Sequence, residues 1–466
     1  MDPAVYFYEE FVRACEPTHA RTRGVRYSPP QLVSFMLRAA EHLMRLEFGQ
    51  TLAEAVVVDP CCGAGTFLRE VWRRFCPPPR TIGVEISHSA SAVASWLLPE
   101  SEIIRGDWLG DFGLDTDGRT LVVIGNPPYS GHSANPGKIG TLMADYRIGL
   151  TERNPKWLQD DYVKFIRMAQ HHISRAGAGI VVFVTNHSYL SNPTFRAMRA
   201  SLMRDFDQIY IVDLQGNSRR SEITDEPDQN VFSIRMGVAI SLMIRHESSP
   251  TGSTGRKCTV SYAQVRGSRT KKLEWLAKTQ FDNIEWNSVA PAMPLVLFQT
   301  QNHSLLKEYS SFRPLVELFH EHSVGFVTSR DAFAVDMDKD ALLARIAVLR
   351  DSNLTSEQLR ADYPVGDLDV KRTRRILRAD RNWRDRAVQV LYRPFDVRWA
   401  YYSQEIMERP RLPFMRHMMT ENVAIVVGRA GHATGSRVWD VAFCSDCPTD
   451  LNLFRRGGAT ILPRYR

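Results

Sequence analysis

Val56-Val57-Val58-Asp59-Pro60-Cys61-Cys62-Gly63-Ala64-Gly65-Thr66-Phe67 is the stretch whose reading decides the fold. Its β-branched run reads as a short buried strand. The small residues after Asp59 read as a loop, in which Gly63 and Gly65 let the backbone turn tightly and approach a ligand closely. From there Leu68, Val71, Trp72 and Phe75 recur at helical spacing. Strand, glycine turn and helix together open a doubly wound α/β sheet, a fold that holds ligands at the carboxyl ends of its strands.

A lone Gly-x-Gly is a weak signal, and the next strands strengthen it. Ile82-Gly83-Val84-Glu85 ends a second strand on Glu85, where a ribose diol is held in a Rossmann-like sheet, with Ile86 beside it. Ile103-Ile104-Arg105-Gly106-Asp107-Trp108 ends a third on an acid and an aromatic. Asp107 can accept from an adenine amino group, and Trp108 can pack beside the ring. Leu121 to Gly125 is the fourth strand. Each acid by itself reads equally well as a helix cap or a surface residue. The ordered set Asp59, Glu85, Asp107, Asn126 at four successive strand ends points to a nucleotide cofactor.

The fourth strand runs into Asn126-Pro127-Pro128-Tyr129. Asn-Pro marks turns in general. In this place it also suits the methylation of an exocyclic amine on a planar ring. Such an amine is a poor nucleophile because its lone pair is delocalised into the ring. The Asn126 side-chain oxygen and the Pro127 carbonyl can accept from its N–H groups and draw the nitrogen toward tetrahedral geometry. Neither proline offers an N–H to a ladder, and Pro128 keeps Pro127 out of the α region, which aims that carbonyl. Tyr129 offers a face for the ring to stack on.

In this order the motifs resemble those of the DNA amino-methyltransferases, the adenine-N6 group of the gamma arrangement in particular. Arg26-Tyr27-Ser28-Pro29-Pro30 looks like that family's most N-terminal motif. Gly179 to Leu190, Gln208 to Leu214 and Gly237 to Ile244 look like its remaining strands. The resemblance implies a seven-stranded methyltransferase domain and S-adenosylmethionine as cofactor. It assigns the cofactor to Tyr27, Ser28, Pro29, Asp59, Pro60, Cys62, Gly63, Gly65, Thr66, Phe67, Glu85, Ile86, Asp107, Trp108 and Asn126. It assigns catalysis to Asn126, Pro127, Pro128 and Tyr129. Phe232, in Asn230-Val231-Phe232, is expected to stack with Tyr129 on a flipped adenine; the alternative is a core phenylalanine at a strand entry.

The resemblance extends over nearly the whole chain to the methyltransferase portion of large single-polypeptide restriction-modification enzymes and related phage-defence methyltransferases. Asn154 to Tyr162, Asn192 to Arg196, Leu391-Tyr-Arg-Pro-Phe-Asp-Val-Arg398 and Arg409-Pro-Arg411 carry it. Those enzymes place nuclease and helicase parts ahead of this portion, and this sequence has no Gly-x-x-x-x-Gly-Lys-Ser/Thr loop. Their recognition region runs beyond the point matching Ile461 to Arg466. The expectation is that a partner subunit completes target recognition or that the chain is truncated.

Composition sets the frame. The 466 residues are 44% hydrophobic and 24% charged, as in soluble globular proteins. No apolar run reaches the ~18–20 residues of a membrane span, and Met1-Asp2-Pro3 is no basic signal peptide, so a cytoplasmic location is expected. Seven cysteines are scattered; Cys444-Ser-Asp-Cys447 has no second pair, and no metal is expected. The first 250 residues carry 26 Lys+Arg against 28 Asp+Glu, and the remainder 33 against 24. This split suits a near-neutral catalytic part and a DNA-contacting C-terminal part. The sequence divides into a helical cap with the first cofactor motif (1–50), the catalytic domain (51–250) and a mixed α+β recognition region (251–466). Arg256, Lys257, Lys271, Lys272, Arg374, Arg375, Arg378, Arg409 and Arg411 are candidates for the DNA backbone. The expected partners are double-stranded DNA and further subunits of a restriction-modification or phage-defence system, without a membrane. Alternatives are methylation of an RNA base, cytosine N4 or protein glutamine, or a non-catalytic module on the same fold.

Overall fold

A computed structural model describes residues 28–110, 113–129, 139–150, 155–217, 227–247, 257–428, 441–454 and 458–465. The chain divides into two compact units, Met1–Asn302 and His303–Arg466.

The first unit opens with helix α1 (Pro30–Phe48), which starts on a proline in its first turn and ends at Gly49 in the left-handed region. Strand β1 (Val56–Asp59) leads through the glycine turn into α2 (Thr66–Arg74). Then follow β2 (Arg80–Glu85), α3 (His88–Leu97), β3 (Glu102–Arg105) and β4 (Leu121–Gly125). The chain continues through α4 (Asp161–Ala176), β5 (Gly179–Asn186), α5 (Arg196–Asp205), β6 (Gln208–Gln215) and β7 (Val238–Arg245). Strands β1, β4, β5 and β7 are buried along their whole length. That is why they read as unbroken apolar runs: helices cover both faces of the sheet.

The sheet has nine strands rather than seven. β8 (Thr259–Gln264) adds in parallel to β6, and β9 (Asn287–Val289) closes the edge beyond it. The order is β3-β2-β1-β4-β5-β7-β6-β8-β9, with β7 antiparallel between β5 and β6. The insertion of β7 leaves the far side of β6 open, and the alternating run from Thr259 fills it. Between β8 and β9 lies α6 (Arg269–Lys278), which packs on α1 through Phe35 and Trp275, 5.5 Å between ring centres. Buried Arg199 then donates to the carbonyls of Asn192, Leu295 and Val296 and ties the chain back to this unit. The expected boundary at 250 therefore moves to Asn302.

The second unit holds two small sheets. One is antiparallel, with β10 (Ser323–Val324), β14 (Ala424–Val427), β15 (Ala442–Ser445) and β16 (Thr460–Pro463) in the order β10-β16-β14-β15. The other is β11-β13-β12, from Val335–Asp336, Asp396–Tyr401 and Ala387–Arg393. Helices α7 (Lys339–Asp351) and α8 (Val370–Ala379) pack beside it. The basic segment that carries Arg374, Arg375 and Arg378 is α-helical only to Ala379, and β12 begins at Ala387. Trp383, in the cation-rich stretch that follows, is only 3% exposed and belongs to this unit's core. No helix of the described residues is long and apolar enough to cross a membrane.

Candidate functional site

The carboxyl ends of β1, β2, β3 and β4 bring the expected residues to one side of the sheet. Asp59 ends β1 and is buried; its Oδ1 accepts from Cys61 N at 3.1 Å. Burial, joined by the charge of Glu85, pushes its carboxyl up to about 7, although the Cys61 bond offsets part of this. β4 passes so close that a Cβ on Gly125 would lie 2.7 Å from Asp59 Oδ1. Glycine is therefore required where β4 passes the end of β1.

The loop after Asp59 turns through Gly63 (φ 55°) and Gly65 (φ 90°). Its closing bonds run from Gly65 N to Cys62 O and from Cys62 N to Val84 O. Glu85 at the end of β2 accepts from Gly63 N at 3.0 Å with one oxygen and from Ser87 N at 2.7 Å with the other. Its carboxylate is thus fixed beside the turn. A Cβ on Gly63 would meet no atom within 4 Å, so the turn faces open space. Ile86 is half exposed beside it. Burial pushes the Cys61 and Cys62 thiols up, which makes them packing residues rather than thiolates.

Asp107 follows β3 and accepts from Leu109 N at 3.0 Å. Trp108, expected to pack beside the cofactor's ring, is 1% exposed and packs on His172 of α4, ring centres 4.7 Å apart. Burial pushes His172 down to about 4, so it is neutral in that contact.

After β4, Asn126 Nδ2 donates to Ser28 Oγ at 3.1 Å, which joins the N-terminal motif to the Asn126-Pro127-Pro128-Tyr129 segment. Pro29 stands at the entrance of α1, its carbonyl accepting from Leu32 N and Val33 N. Tyr129 is 1% exposed and Phe232 is 5% exposed, so both expected stacking rings are covered. Tyr27 lies outside the described residues.

Sequence reasoning missed the network centred on Asp213. His187 follows β5, and its Nδ1 meets Asp213 Oδ1 on β6 at 3.0 Å. Asp213 is fully buried and its Oδ2 also accepts from Gln215, Tyr262 and Gln299. The His187 N–H donates to Gly237 O, and a Cβ on Gly237 would lie 2.3 Å from the imidazole. A His-Asp pair this far apart in sequence gives no local signal.

Among the cations expected on DNA, Lys272 is corrected. It is fully buried, bonded to Leu214 O and Gln229 O and paired with Asp228 at 2.7 Å. It sits on the inward face of α6, where its charge holds the Asp228 loop. Arg374 and Arg378 are drawn onto the end of α7, donating to Leu349 O and to Arg350 O. Lys257, Lys271, Arg375, Arg409 and Arg411 are exposed, Arg409 beside Glu408; Arg256 lies outside the described residues. Cys444 and Cys447 are free thiols. No cluster of His, Cys, Asp or Glu among the described residues is placed to hold a metal ion.

Residues 101–219 match the family model described as the Eco57I restriction-modification methylase. Residues 317–466 match that of the Type ISP C-terminal specificity domain. Similar solved structures include DrdV in complex with DNA, at 25% identity and TM-score 0.70, over 99% of this chain and 51% of that one. The ATP-dependent Type ISP restriction-modification enzyme LlaBIII bound to DNA is 21% identical, with TM-score 0.68 over 99% and 35%. A nuclease-deletion mutant of the Type ISP enzyme LlaGI with a DNA substrate mimic is 19% identical, with TM-score 0.67 over 99% and 44%. The chain thus spans about half the length of DrdV. No curated protein matches the sequence. S-adenosylmethionine is the cofactor expected of the methylase family, and the residues fit it. Buried Asp59 and fixed Glu85 suit a cationic, ribose-bearing ligand, and the Gly63 turn leaves it room.

Proposed function

We propose that this chain is the methyltransferase portion of a restriction-modification enzyme that methylates adenine N6 in DNA. The observation that carries the reading is the bond between Asn126 and Ser28 beside Asp59 and Glu85. It sets the Asn126-Pro127-Pro128-Tyr129 segment at the same sheet edge as the cofactor residues. S-adenosylmethionine supplies the methyl group when bound. Asn126 Oδ1 and the Pro127 carbonyl accept from the adenine amino group and free its lone pair. The amine proton leaves after the methyl arrives, so no strong base is required. Most of the rate enhancement comes from alignment of the amine with the methyl group.

The base must leave the stack to reach Asn126, at a cost of a few kcal/mol. Stacking on Tyr129 and Phe232 offsets roughly 1–3 kcal/mol per stacked base. Since both rings are covered in the free chain, entry of the base uncovers them. The DNA in the DrdV complex supports DNA as the substrate, and the match to a specificity domain supports recognition by the second unit. Exposed Lys257, Lys271, Arg375, Arg409 and Arg411 would set its register on phosphates without reading bases.

The test is incubation of the purified chain with isotopically labelled S-adenosylmethionine and unmodified genomic DNA, followed by nucleoside mass spectrometry. Labelled N6-methyldeoxyadenosine that disappears with Asn126→Ala is the expected result. Label in cytosine, RNA or protein glutamine would replace the adenine assignment. Cofactor binding with no labelled product would point to recognition supplied by a further subunit.

A further inference from the structure

We propose that Arg269 is a positioning residue for the target base, acting through the backbone of Phe232. The proposal rests on the adenine reading above. By sequence, Arg269 lies two residues before Lys271, a candidate for the DNA backbone. In the fold it begins α6, and its guanidinium turns to the loop that carries Phe232. Nε donates to Asn230 O at 2.8 Å, and one terminal nitrogen donates to Phe232 O at 2.9 Å. The Phe232 N–H donates to Asn230 Oδ1 at 2.8 Å. Both polar backbone groups of Phe232 are therefore held, and the direction of its Cα–Cβ bond is set with them.

The anchor is itself fixed. Asn230 Nδ2 donates to Met236 O at 2.6 Å, and a Cβ on Gly216 would lie 2.4 Å from Asn230 Cα. Asp228 accepts from Gly216 N and Gly267 N, and buried Lys272 pairs with it. The chain on either side of Arg269 thus clamps the loop, while Arg269 alone reaches the Phe232 carbonyl among these donors. A planar guanidinium satisfies two carbonyls in one fixed geometry, which a lysine ammonium does not reproduce. A ring that must receive a flipped base within a few tenths of an ångström needs such a constraint on its backbone.

The experiment compares Arg269→Ala and Arg269→Lys in the wild-type and Phe232→Ala backgrounds. Methyl transfer to DNA is measured with labelled S-adenosylmethionine over a salt series, and equilibrium binding of S-adenosylmethionine is the control. In the wild-type background, Arg269→Ala is expected to lower kcat/KM for DNA about tenfold and Arg269→Lys less, with cofactor binding kept. In the Phe232→Ala background the same changes shrink to less than about twofold, because coupled residues are non-additive. The salt slope of kcat/KM stays the same, whereas loss of a phosphate contact lowers it by about 0.9. Equal losses in both backgrounds, a changed salt slope, full activity of both Arg269 variants, or lost cofactor binding in both would each overturn the proposal. Label placed by the wild-type chain on cytosine, RNA or protein glutamine and not on adenine would instead remove the reading beneath it, and the proposal with it.

Discussion

Ser28 and Asn126 lie 98 positions apart in sequence, and their side chains meet at 3.1 Å. The bond uses Asn126 Nδ2 as donor, so it fixes which way the amide faces and assigns Oδ1 the acceptor role. Ser28→Ala removes the orienting partner without touching the amide. A neutral hydrogen bond is worth about 1 kcal/mol, so a five- to tenfold fall in kcat is expected. Binding of S-adenosylmethionine should change little. Asn126→Ala should abolish transfer. A Ser28→Ala variant with unchanged kcat would show that the amide is oriented by other means.

Arg374 and Arg375 are adjacent on α8 and have different tasks. Arg374 donates to Leu349 O at 2.8 Å, whereas Arg375 is exposed. Arg375→Ala should leave thermal stability unchanged and lower the salt slope of DNA binding by about 0.9, the value for one phosphate contact. Arg374→Ala should lower the melting temperature and leave that slope alone. Binding isotherms at four salt concentrations, with a melt of each variant, check both. The opposite assignment of the two effects would reverse their roles.

Lys272 extends the same distinction to α6. Its ammonium is fully buried and paired with Asp228. Removing one partner of a buried pair costs about 3–5 kcal/mol, so Lys272→Ala should unfold at markedly lower denaturant. Lys272→Ala with Asp228→Asn should recover part of the loss. Chemical denaturation of the three variants measures this, and an additive double variant would exclude the pairing.

These cations show where sequence reading stops. β1 and β4 were legible because a parallel strand covered on both faces reads as an apolar run, and β1, β2 and β4 lead to Asp59, Glu85 and Asn126 at their carboxyl ends. The glycine turn was legible because few residues other than glycine sit at φ 55° and 90°. Lys272 was read as a surface group because local charge cannot report burial. Lys272 is enclosed by carbonyls of residues 214 and 229, which only the fold brings near. The contact of Trp108 with His172 was not legible for the same reason, His172 arriving on α4. β8 alternates as any half-buried strand does, and its place beside β6 follows from the insertion of β7 rather than from its own residues.

Asp59 and His172 give opposite pH slopes. Asp59 has its carboxyl raised from 3.8 to about 7. The folded state keeps a proton that the unfolded chain releases, so this group's stability contribution is lost as pH rises from about 4 to about 7. His172 is lowered from 6.5 to about 4. There the unfolded chain takes up a proton first, and stability is lost as pH falls from about 6.5 to about 4. Relative to wild type, Asp59→Asn should gain melting temperature as pH is raised across its window. His172→Gln should lose relative melting temperature as pH is raised across its own. Parallel curves for either variant would mean that the group does not titrate in that window.

Gly237 stands against His187 with no room for a methyl group: a Cβ there would lie 2.3 Å from the imidazole. The listener at the other end of that ring is Asp213, fully buried and shared with Gln215, Tyr262 and Gln299. Gly237→Ala must therefore push the imidazole off Asp213 or shift the start of β7. Overpacking of this kind costs about 1–3 kcal/mol, and a lowered melting temperature is expected. His187→Ala should also destabilise, by leaving the Asp213 carboxylate one partner short. Combining the two substitutions should cost less than their sum, because the new methyl occupies space the imidazole has vacated. Melts of the two single variants and the double variant decide it; strict additivity would mean that Gly237 and His187 do not act on one another.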